Sequence, residues 1–433
     1  MTTLPRALSP LRHRSYRLLA LSLAFALLTQ GLWAIGMVWQ VMALDGGPAA
    51  LSLVAGLSAG GMLATTLLGG ALADRIPQRQ ILLAVALLQA AVVAIAAALS
   101  LAGVLELWQL GAVSLVDGVL LGLYYPAYSA LLPALVPEGD LLAANGLEGV
   151  VRPLLAQAAG PAAAGFLVAA LSPGAALAAT SVASLAAAAC IAALPVTPVR
   201  REGAGEGSLF ADVREGFVYM LATRWLLATL LFAALMILLF IGPFEVLVPF
   251  AIRETGGGPS QHAYVLAAWG VGGAVGSLTV ASLRLPRRYL SVMNMLWGLG
   301  CVPMVVFAYA TDLWPMVLAG AVMGGTFQAG MVIWGTLLQR RVPPALLGRV
   351  SSLDFFLSLS LMPLSMALAG TVSEVIGLTA TFLAAGLGPP LLAVLTVLLG
   401  RLPADETAHP LDAAPPTADE APAGAADAWL DRV

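Results

Sequence analysis

Two acidic residues lie within long apolar stretches of this chain, Asp117 in SLVDGVLLG and Glu245 in GPFEVLVPF. A charge near the middle of a bilayer costs at least ~2.5–3.5 kcal/mol on insertion scales, so it usually faces a cavity or a partner. Apolar surroundings also disfavour the charged form of a carboxyl group, which suits a proton carrier. We therefore predict that Asp117 and Glu245 couple protons or contact a substrate. The alternatives are a polar pair within the first half of the chain for Asp117 and an ion pair with Arg253 for Glu245.

The composition indicates which elements must position these carboxyl groups. Of the 433 residues, 60% are hydrophobic and only 10% are charged, whereas a soluble domain is about 25% charged. A bilayer accommodates this much apolar surface, and a spanning helix needs roughly 20 mostly apolar residues. We predict an all-α integral membrane protein of twelve spanning helices, helix 1 to helix 12, at 17–44, 50–74, 80–102, 107–134, 141–171, 175–195, 225–252, 261–283, 289–310, 313–338, 350–377 and 378–400.

The positions of the basic residues predict the orientation, and all 20 of them are arginines. If the chain begins in the cytoplasm and the helices alternate, every arginine except Arg152 and Arg253 falls on the inner side, as the positive-inside rule requires. Both termini are then cytoplasmic. We read five segments: an N-terminal segment 1–16, a six-helix half 17–195, a linker 196–224 with an amphipathic helix, a second half 225–400, and a disordered acidic tail 401–433.

The two halves look duplicated. The loop after helix 2 reads RIPQRQ from Arg75, the loop after helix 8 reads RLPRRY from Arg284, and helices 4 and 10 each end in Val-Pro, at Val136 and Val342. A duplicated six-helix unit is typical of transporters, whose substrate site lies between the halves near the middle of the membrane. We therefore expect two pseudo-symmetric halves around such a site.

The loop after helix 2 also carries a family resemblance. GALADRIPQRQ resembles the loop signature of the major facilitator superfamily, in which Gly70, Asp74, Arg75 and Arg79 match, whereas Pro77 replaces a Gly and a Gln replaces a basic residue. The resemblance implies the major facilitator fold and a conformational latch in which the Asp stabilises one packing of the halves, with helix 11 facing it. We expect that latch to comprise Gly70, Asp74, Arg75, Arg79, Arg349 and Asp354.

Four further segments resemble the drug-exporter-like branch, which includes macrolide, siderophore and multidrug exporters. They are LRHRSYRLLA, YYPAYSALLPALVPEGDLLAANGL, GPAAAG and RRVPPALLGRVSSLDF. In GPAAAG, the residues Gly160, Pro161 and Gly165 resemble the antiporter motif of helix 5, where proline bends the helix and small residues permit close packing; a general kinked helix is the alternative. The resemblance places the protein in the bacterial plasma (inner) membrane, usually as a monomer.

Polar and aromatic side chains within the spans are candidates for a substrate cavity, with helix packing as the alternative for each. They are Gln30, Trp33, Gln40, Tyr124, Tyr128, Gln157, Asn294, Gln328 and Trp334. Glu148 and Arg152 are four residues apart, so they can pair on one face of helix 5.

We therefore predict a secondary active transporter that exports hydrophobic or amphipathic small molecules by alternating access in exchange for protons. The expected partners are the substrate, protons and the bilayer, with no nucleic acid, metal or cofactor. The same fold could instead act as an importer, a uniporter or a lysolipid flippase. A membrane sensor or enzyme is the remote alternative, because the sequence has no catalytic triad, metal cluster or nucleotide-binding motif.

Overall fold

A computed structural model describes residues 6–73, 75–195 and 209–411 of the chain. These residues form helices and their connections, and 12 helices among them are long and apolar enough to cross a membrane. The predicted number and order of spans are confirmed. The helices cover Arg14–Ala43, Pro48–Ala73, Gln78–Leu101, Leu107–Leu135, Glu138–Arg152 with Gly160–Ala170, Pro173–Ala192, Arg224–Glu254, Pro259–Ser282, Tyr289–Tyr309, Leu313–Arg341, Pro344–Ser360 with Met362–Ile376, and Leu378–Leu399.

Prolines interrupt three of the long helices. A π-helical turn begins at Pro153 in helix 5, another begins at Pro243 in helix 7, and helix 11 breaks at Leu361 just before Pro363. Proline has no backbone N–H and its ring clashes with the preceding turn, so the regular hydrogen-bond ladder cannot continue through it. The segment of helix 7 that contains Glu245 is therefore a π-helical turn.

Within each half, the same helices pack together. Helix 2 lies along helix 4, and helix 8 lies along helix 10. Glycines sit at both crossings: a Cβ at Gly118 would overlap the backbone of Ser58, and a Cβ at Gly324 would overlap that of Trp269. Small residues let helix backbones approach closely where lipid supplies no hydrophobic drive for association. The duplication read from the sequence is therefore visible as repeated packing.

The halves meet at one end of the bundle, which we call the far face. A Cβ at Gly165 in helix 5 would lie 2.9 Å from the Cβ of Ala263 in helix 8. Between helices 2 and 11, the N–H of Gly370 donates to Ser52 Oγ at 2.6 Å, and a Cβ at Gly370 would overlap Pro48. These contacts all lie at the helix ends remote from the N-terminus and the linker.

Three short helices lie at the opposite end, which we call the linker face. They are the 3₁₀ helix Arg6–Arg12, the linker helix Leu209–Ala222 and the tail helix Leu402–Ala408. The linker helix lies within the segment 196–224 for which the sequence predicts an amphipathic helix. Residues 196–208 lie outside the described part of the chain.

The tail corrects one expectation. The composition of residues 401–433 predicts a disordered tail, but the tail helix is docked against helices 9 and 12. Its Glu406 is buried and accepts hydrogen bonds from the N–H of Ser291 at 2.7 Å and from its Oγ at 2.9 Å. Arg341 forms an ion pair with Asp405. These specific contacts outweigh the polar composition of the segment. Residues 412–433 lie outside the described residues.

Candidate functional site

A cavity of about 500 Å³ opens between helices 4 and 5 in the linker-face part of the first half. We call it the N-half cavity. Tyr128, Glu148 and Arg152 contribute to its wall. Glu148 and Arg152 form the ion pair that their spacing predicts. The wall of this cavity is therefore mixed, and the two charged side chains on it compensate each other.

The ion pair continues into the protein as a chain of hydrogen bonds. Arg152 Nη1 donates to the hydroxyl of Tyr125 at 2.8 Å, and Gln30 Nε2 donates to the same hydroxyl at 3.1 Å. The guanidinium carbon of Arg152 also lies 5.0 Å from the centre of the Tyr125 ring, within cation–π range. Gln30, predicted as a cavity residue, thus belongs to the network behind the N-half cavity.

Asp117 belongs to a second polar chain in the same half. Its side chain is buried and accepts from Gln89 Nε2 at 2.7 Å, while Ser184 Oγ donates to Gln89 Oε1 at 3.2 Å. This is the arrangement foreseen as the alternative for Asp117, a polar pair within the first half. A cavity of about 20 Å³, lined by Gln30, Gln89 and Tyr124 among others, separates the two chains. It has room for about one water molecule.

A second cavity, of about 260 Å³, lies between helices 7, 10 and 11 in the linker-face part of the second half. We call it the C-half cavity. Trp297, Phe327 and Trp334 form aromatic walls, and Asp354 is a carboxylate among them. Trp334 Nε1 donates to Asp354 Oδ2 at 2.9 Å, and Ser358 Oγ donates to Oδ1 at 3.1 Å.

The position of Asp354 differs from the expected latch. We expected it beside Arg349 with the charges of the inner face, but its hydrogen bonds turn it toward Trp334 on helix 10, and it lines the C-half cavity. Arg349 forms an ion pair with Glu215 of the linker helix. Among the described residues, no basic side chain contacts Asp354.

Glu245 lies in the π-helical turn of helix 7. Its side chain is exposed, although Phe244, Val246 and Leu247 around it are buried. Within the described ranges it has neither a hydrogen-bond partner nor an ion-pair partner, and the alternative pair with Arg253 is not formed. The π-helical turn thus presents a single carboxylate away from the packed side of helix 7.

Of the remaining residues expected in the latch, two can be placed by their side chains. Arg75 is exposed, and Arg79 donates to the carbonyls of Ile191 at 3.1 Å and Ala192 at 2.6 Å. Arg79 therefore satisfies carbonyl groups that the C-terminus of helix 6 leaves open. Asp74 lies outside the described residues, and Gly70 is placed only as part of helix 2.

The antiporter-like motif of helix 5 has two kinds of neighbour. A Cβ at Gly31 in helix 1 would lie 2.8 Å from the Cα of Gly160 and 2.6 Å from Pro161, so this crossing lies inside the first half. Gly165 instead faces Ala263 in helix 8 of the second half. The motif thus spans from the core of one half to its contact with the other.

The other cavity candidates separate into wall residues and packing residues. Tyr124 and Tyr128 stack at 5.9 Å and contribute to cavity walls in the first half, and Trp334 does so in the second. The rest lie among packed helices and do not line these three cavities. Trp33 is buried in the core, Gln40 accepts from Ser100, Gln157 and Gln328 abut glycines of helix 8, and Asn294 donates to the carbonyl of Leu290.

Sequence reasoning missed Gln89, Tyr125, Trp297 and Phe327. Gln89 is a polar residue within an otherwise apolar span, a signal that could have found it. The other three are aromatic residues within spans, and their role as walls depends on which side of each helix faces the cavity.

The sequence matches the transmembrane secretion effector family over residues 5–421. The chain belongs to this family of the major facilitator superfamily. Its family and relatives are transporters rather than enzymes. The multidrug efflux pump Tap of Mycolicibacterium fortuitum is 29% identical over 404 residues, covering 88% of this chain and 96% of Tap. Tap of Mycobacterium tuberculosis H37Rv is 28% identical over 420 residues, covering 92% of this chain and 94% of that pump.

Solved structures with low sequence identity share the fold. The nucleoside transporter NupG is 15% identical with a TM-score of 0.70, covering 89% of this chain and 98% of NupG. A bacterial homologue of the human lysosomal transporter Spinster, in an inward-facing and unoccupied conformation, is 15% identical with a TM-score of 0.64, covering 91% of this chain and 96% of that one. This family member is therefore a multi-pass membrane transporter with the expected major facilitator fold.

Proposed function

We propose that this protein is a proton-coupled exporter of hydrophobic or amphipathic small molecules that works by alternating access. The relatives named multidrug efflux pumps support export as the direction and small organic molecules as the cargo. A site that binds such cargo needs apolar and aromatic surface with few polar groups. The aromatic C-half cavity has that character.

The alternating-access proposal is supported by a difference between the two ends of the bundle: the halves are in contact at the far face, and the cavities lie toward the linker face. At the far face, glycines bring helix 5 against helix 8 and helix 2 against helix 11. The N-half and C-half cavities both lie toward the linker face. A molecule reaching either cavity would therefore enter from the linker face, and a rocking of the halves that opens the far-face contacts would release it on the other side.

The clustering of arginines at the linker face favours a cytoplasmic position for that face by the positive-inside rule. The bacterial relatives support a location in the plasma membrane. In that orientation the arrangement corresponds to an inward-facing state, the state named for the Spinster homologue. Export would begin with cargo that enters from the cytoplasm or the inner leaflet.

Glu245 and Asp117 are the proposed proton carriers. Glu245 has no partner among the described residues that would hold it permanently ionised, and Asp117 has a neutral hydrogen-bond partner in Gln89. Protonation would neutralise either group and weaken its hold on cationic or polar cargo, and deprotonation would restore that hold. The energy of the proton gradient would thereby drive release.

The first test is accumulation of a fluorescent cationic dye in cells that lack their own pumps. Expressing cells should hold less dye than empty cells, and a protonophore should remove the difference. In everted vesicles acidified by respiration, addition of the dye should release protons from the lumen. Glu245→Gln and Asp117→Asn should each abolish both signals.

Two exposed acids provide matched controls, Glu254→Gln at the end of helix 7 and Asp312→Asn before helix 10. Both should export as the unmodified protein does. If expressing and empty cells hold equal dye, export of this class of compound is contradicted and an importer, a uniporter or a lysolipid flippase is favoured. If Glu245→Gln and Asp117→Asn both keep proton release, these residues are not the proton carriers.

A further inference from the structure

The C-half cavity contains a carboxylate that lacks a cationic partner in the described structure. Asp354 accepts hydrogen bonds from Trp334 and Ser358, both of which are neutral donors. A charge in the apolar part of a membrane is costly and is normally met by a counter-charge. The protein around Asp354 supplies shape and hydrogen bonds, but the described residues supply no compensating charge.

The duplication shows which partner is missing. As many residues separate Glu148 from Val136 as separate Asp354 from Val342, so the two acids occupy equivalent positions in helices 5 and 11. In helix 5, the residue four positions after the acid is Arg152, which pairs with Glu148. In helix 11 that residue is Ser358. The first half therefore neutralises its acid internally, and the second half leaves its acid available to a ligand.

The walls around Asp354 are suited to a flat aromatic cation. The ring centres of Trp297 and Phe327 are 6.4 Å apart, as are those of Trp297 and Trp334. Indole faces attract cations and stack on aromatic rings, and the attraction grows when water is excluded. The lining is almost entirely apolar apart from Asp354 and two hydroxyl groups, those of Thr229 and Ser358.

A glycine creates the room for these rings. Gly330 in helix 10 occupies the position that Tyr124 occupies in helix 4, and a Cβ there would overlap the indole of Trp297. The cavity of about 260 Å³ is close to the lower end of the ~300–1,000 Å³ range of small-molecule sites. That volume suits one fused-ring system better than a large macrocycle.

We propose that the C-half cavity is a binding subsite for aromatic organic cations, with the cationic centre against Asp354 and the rings against the aromatic wall that Trp297 and Trp334 form together. This inference rests on the proposed transport function and specifies a class of cargo within it. The N-half cavity, whose acid is already paired with Arg152, does not share the preference.

Equilibrium binding to the purified full-length protein tests the subsite without any transport step. The probes are N-methylquinolinium and quinoline, a cation and an uncharged compound with the same ring system, each titrated while tryptophan fluorescence is followed. The unmodified protein should bind the cation at least about tenfold more tightly than quinoline, a difference of ~1.4 kcal/mol. Asp354→Asn should remove that preference while quinoline still binds, which also reports that the cavity remains folded.

Ser358→Arg is the second variant, because it gives helix 11 the pairing that helix 5 has. It should abolish the preference for the cation even though Asp354 is retained, whereas Asp312→Asn, an exposed acid near helix 10, should change nothing. The proposal is overturned if Asp354→Asn binds the cation as tightly as the unmodified protein. It is overturned equally if Ser358→Arg keeps the full preference.

Binding and coupling can fail separately. Loss of proton release with intact Asp354-dependent binding would remove the coupling proposal and leave the subsite. Proton-driven dye export with no Asp354-dependent preference would remove the subsite and leave the proposed function.

Discussion

The two halves of this transporter have an acidic residue at equivalent positions, but only the acid of the first half is paired with a basic residue among the described residues. Glu148 pairs with Arg152 one turn further along helix 5, and the pair continues into Tyr125 and Gln30. Asp354 has a serine at the position equivalent to Arg152 and faces aromatic rings. The duplication therefore preserves the positions of the helices but not the side chains on them. One acid belongs to a charge-compensated network, and the equivalent acid has no counter-charge among the described residues.

The halves also differ in what holds their linker-face ends. In the first half, the N-terminal segment docks through Ser9 and His13 onto Asp140 at the start of helix 5. In the second half, the tail helix docks through the buried Glu406 and the ion-paired Asp405. The first contact is only partly buried, whereas Glu406 in the second is fully buried, so the second contact should be the stronger.

The largest effect is expected from Arg152→Ser, which gives helix 5 the residue found in helix 11. Glu148 would keep its largely buried position but lose its counter-charge. The loss should approach the upper end of the ~1–3 kcal/mol that an unsatisfied buried polar group costs. The penalty should stay below that of a fully buried pair, because the Arg152 side chain is 33% exposed. Unfolding in mixed detergent micelles measures the change.

The double variant Glu148→Gln with Arg152→Ser separates the lost pair from the stranded charge. Removing both charges should be less destabilising than removing Arg152 alone, because the uncompensated carboxylate is gone. Equal destabilisation of the single and double variants would contradict this, because it would show that water solvates the Glu148 carboxylate once Arg152 is removed.

The next effect concerns Gly330, where the second half has a glycine in place of Tyr124. Gly330→Ala should push the Trp297 indole into the C-half cavity, with an overpacking cost of ~1–3 kcal/mol. About 1 kcal/mol of better helix propensity offsets part of this. N-methylquinolinium binding should weaken as the cavity narrows.

Gly335→Ala on the same helix is the control for Gly330→Ala, because a Cβ at Gly335 meets no neighbour within 4 Å. It should be neutral or slightly stabilising and should leave binding intact. Unchanged N-methylquinolinium binding in Gly330→Ala would mean that Trp297 does not form the cavity wall in the binding state.

A smaller effect is expected from Glu406→Gln in the tail helix. The amide can still accept one hydrogen bond from Ser291, but the charge-assisted character of both bonds is lost. Hydrogen bonds to charged groups contribute ~1.5–3 kcal/mol and neutral ones ~0.5–1.5 kcal/mol, so a loss of about 1 kcal/mol should follow. Hydrogen exchange over residues 402–408 should accelerate. Exchange equal to that of the unmodified protein would show that Glu406 does not hold the tail helix in place.

Most of the fold could be predicted from the sequence, because a bilayer imposes strong constraints. A spanning segment must satisfy its backbone groups internally and expose apolar side chains, so hydropathy alone finds the helices. The break beside Glu245 was also foreseeable, since Pro243 removes a donor from helix 7. The docked tail helix was not foreseeable, because its anchor Glu406 meets Ser291 only through tertiary packing.

The candidate site was predicted in part. The pair of Glu148 and Arg152 follows from a spacing of four residues on one helix. Asp354 was expected among the charges of the inner face, because sequence proximity to Arg349 does not reveal that the side chain turns toward Trp334 on helix 10. The repeated Val-Pro at helix ends could have corrected this, since it aligns Asp354 with Glu148. Aligning the two halves of the sequence thus indicates where a side chain lies in the fold, which its neighbours along the chain do not.

The smallest effect is expected at the partly buried contact between the N-terminal segment and Asp140 in the first half, and it depends on pH. Hydrogen bonds from Ser9 and His13 lower the pKa of Asp140 below its usual value. A carboxyl group with a lowered pKa stabilises the docked segment at pH values above its unfolded pKa of about 3.9, and that contribution disappears as the pH falls through the lower folded pKa. Asp140→Asn should therefore speed hydrogen exchange in residues 6–17 at neutral pH, and the difference from the unmodified protein should shrink on acidification.

The control is Asp45→Asn, which changes an exposed acid at the far face and should have no effect on this exchange at any pH. A difference that stays constant on acidification would contradict this, because the contact would then not depend on the charge of Asp140.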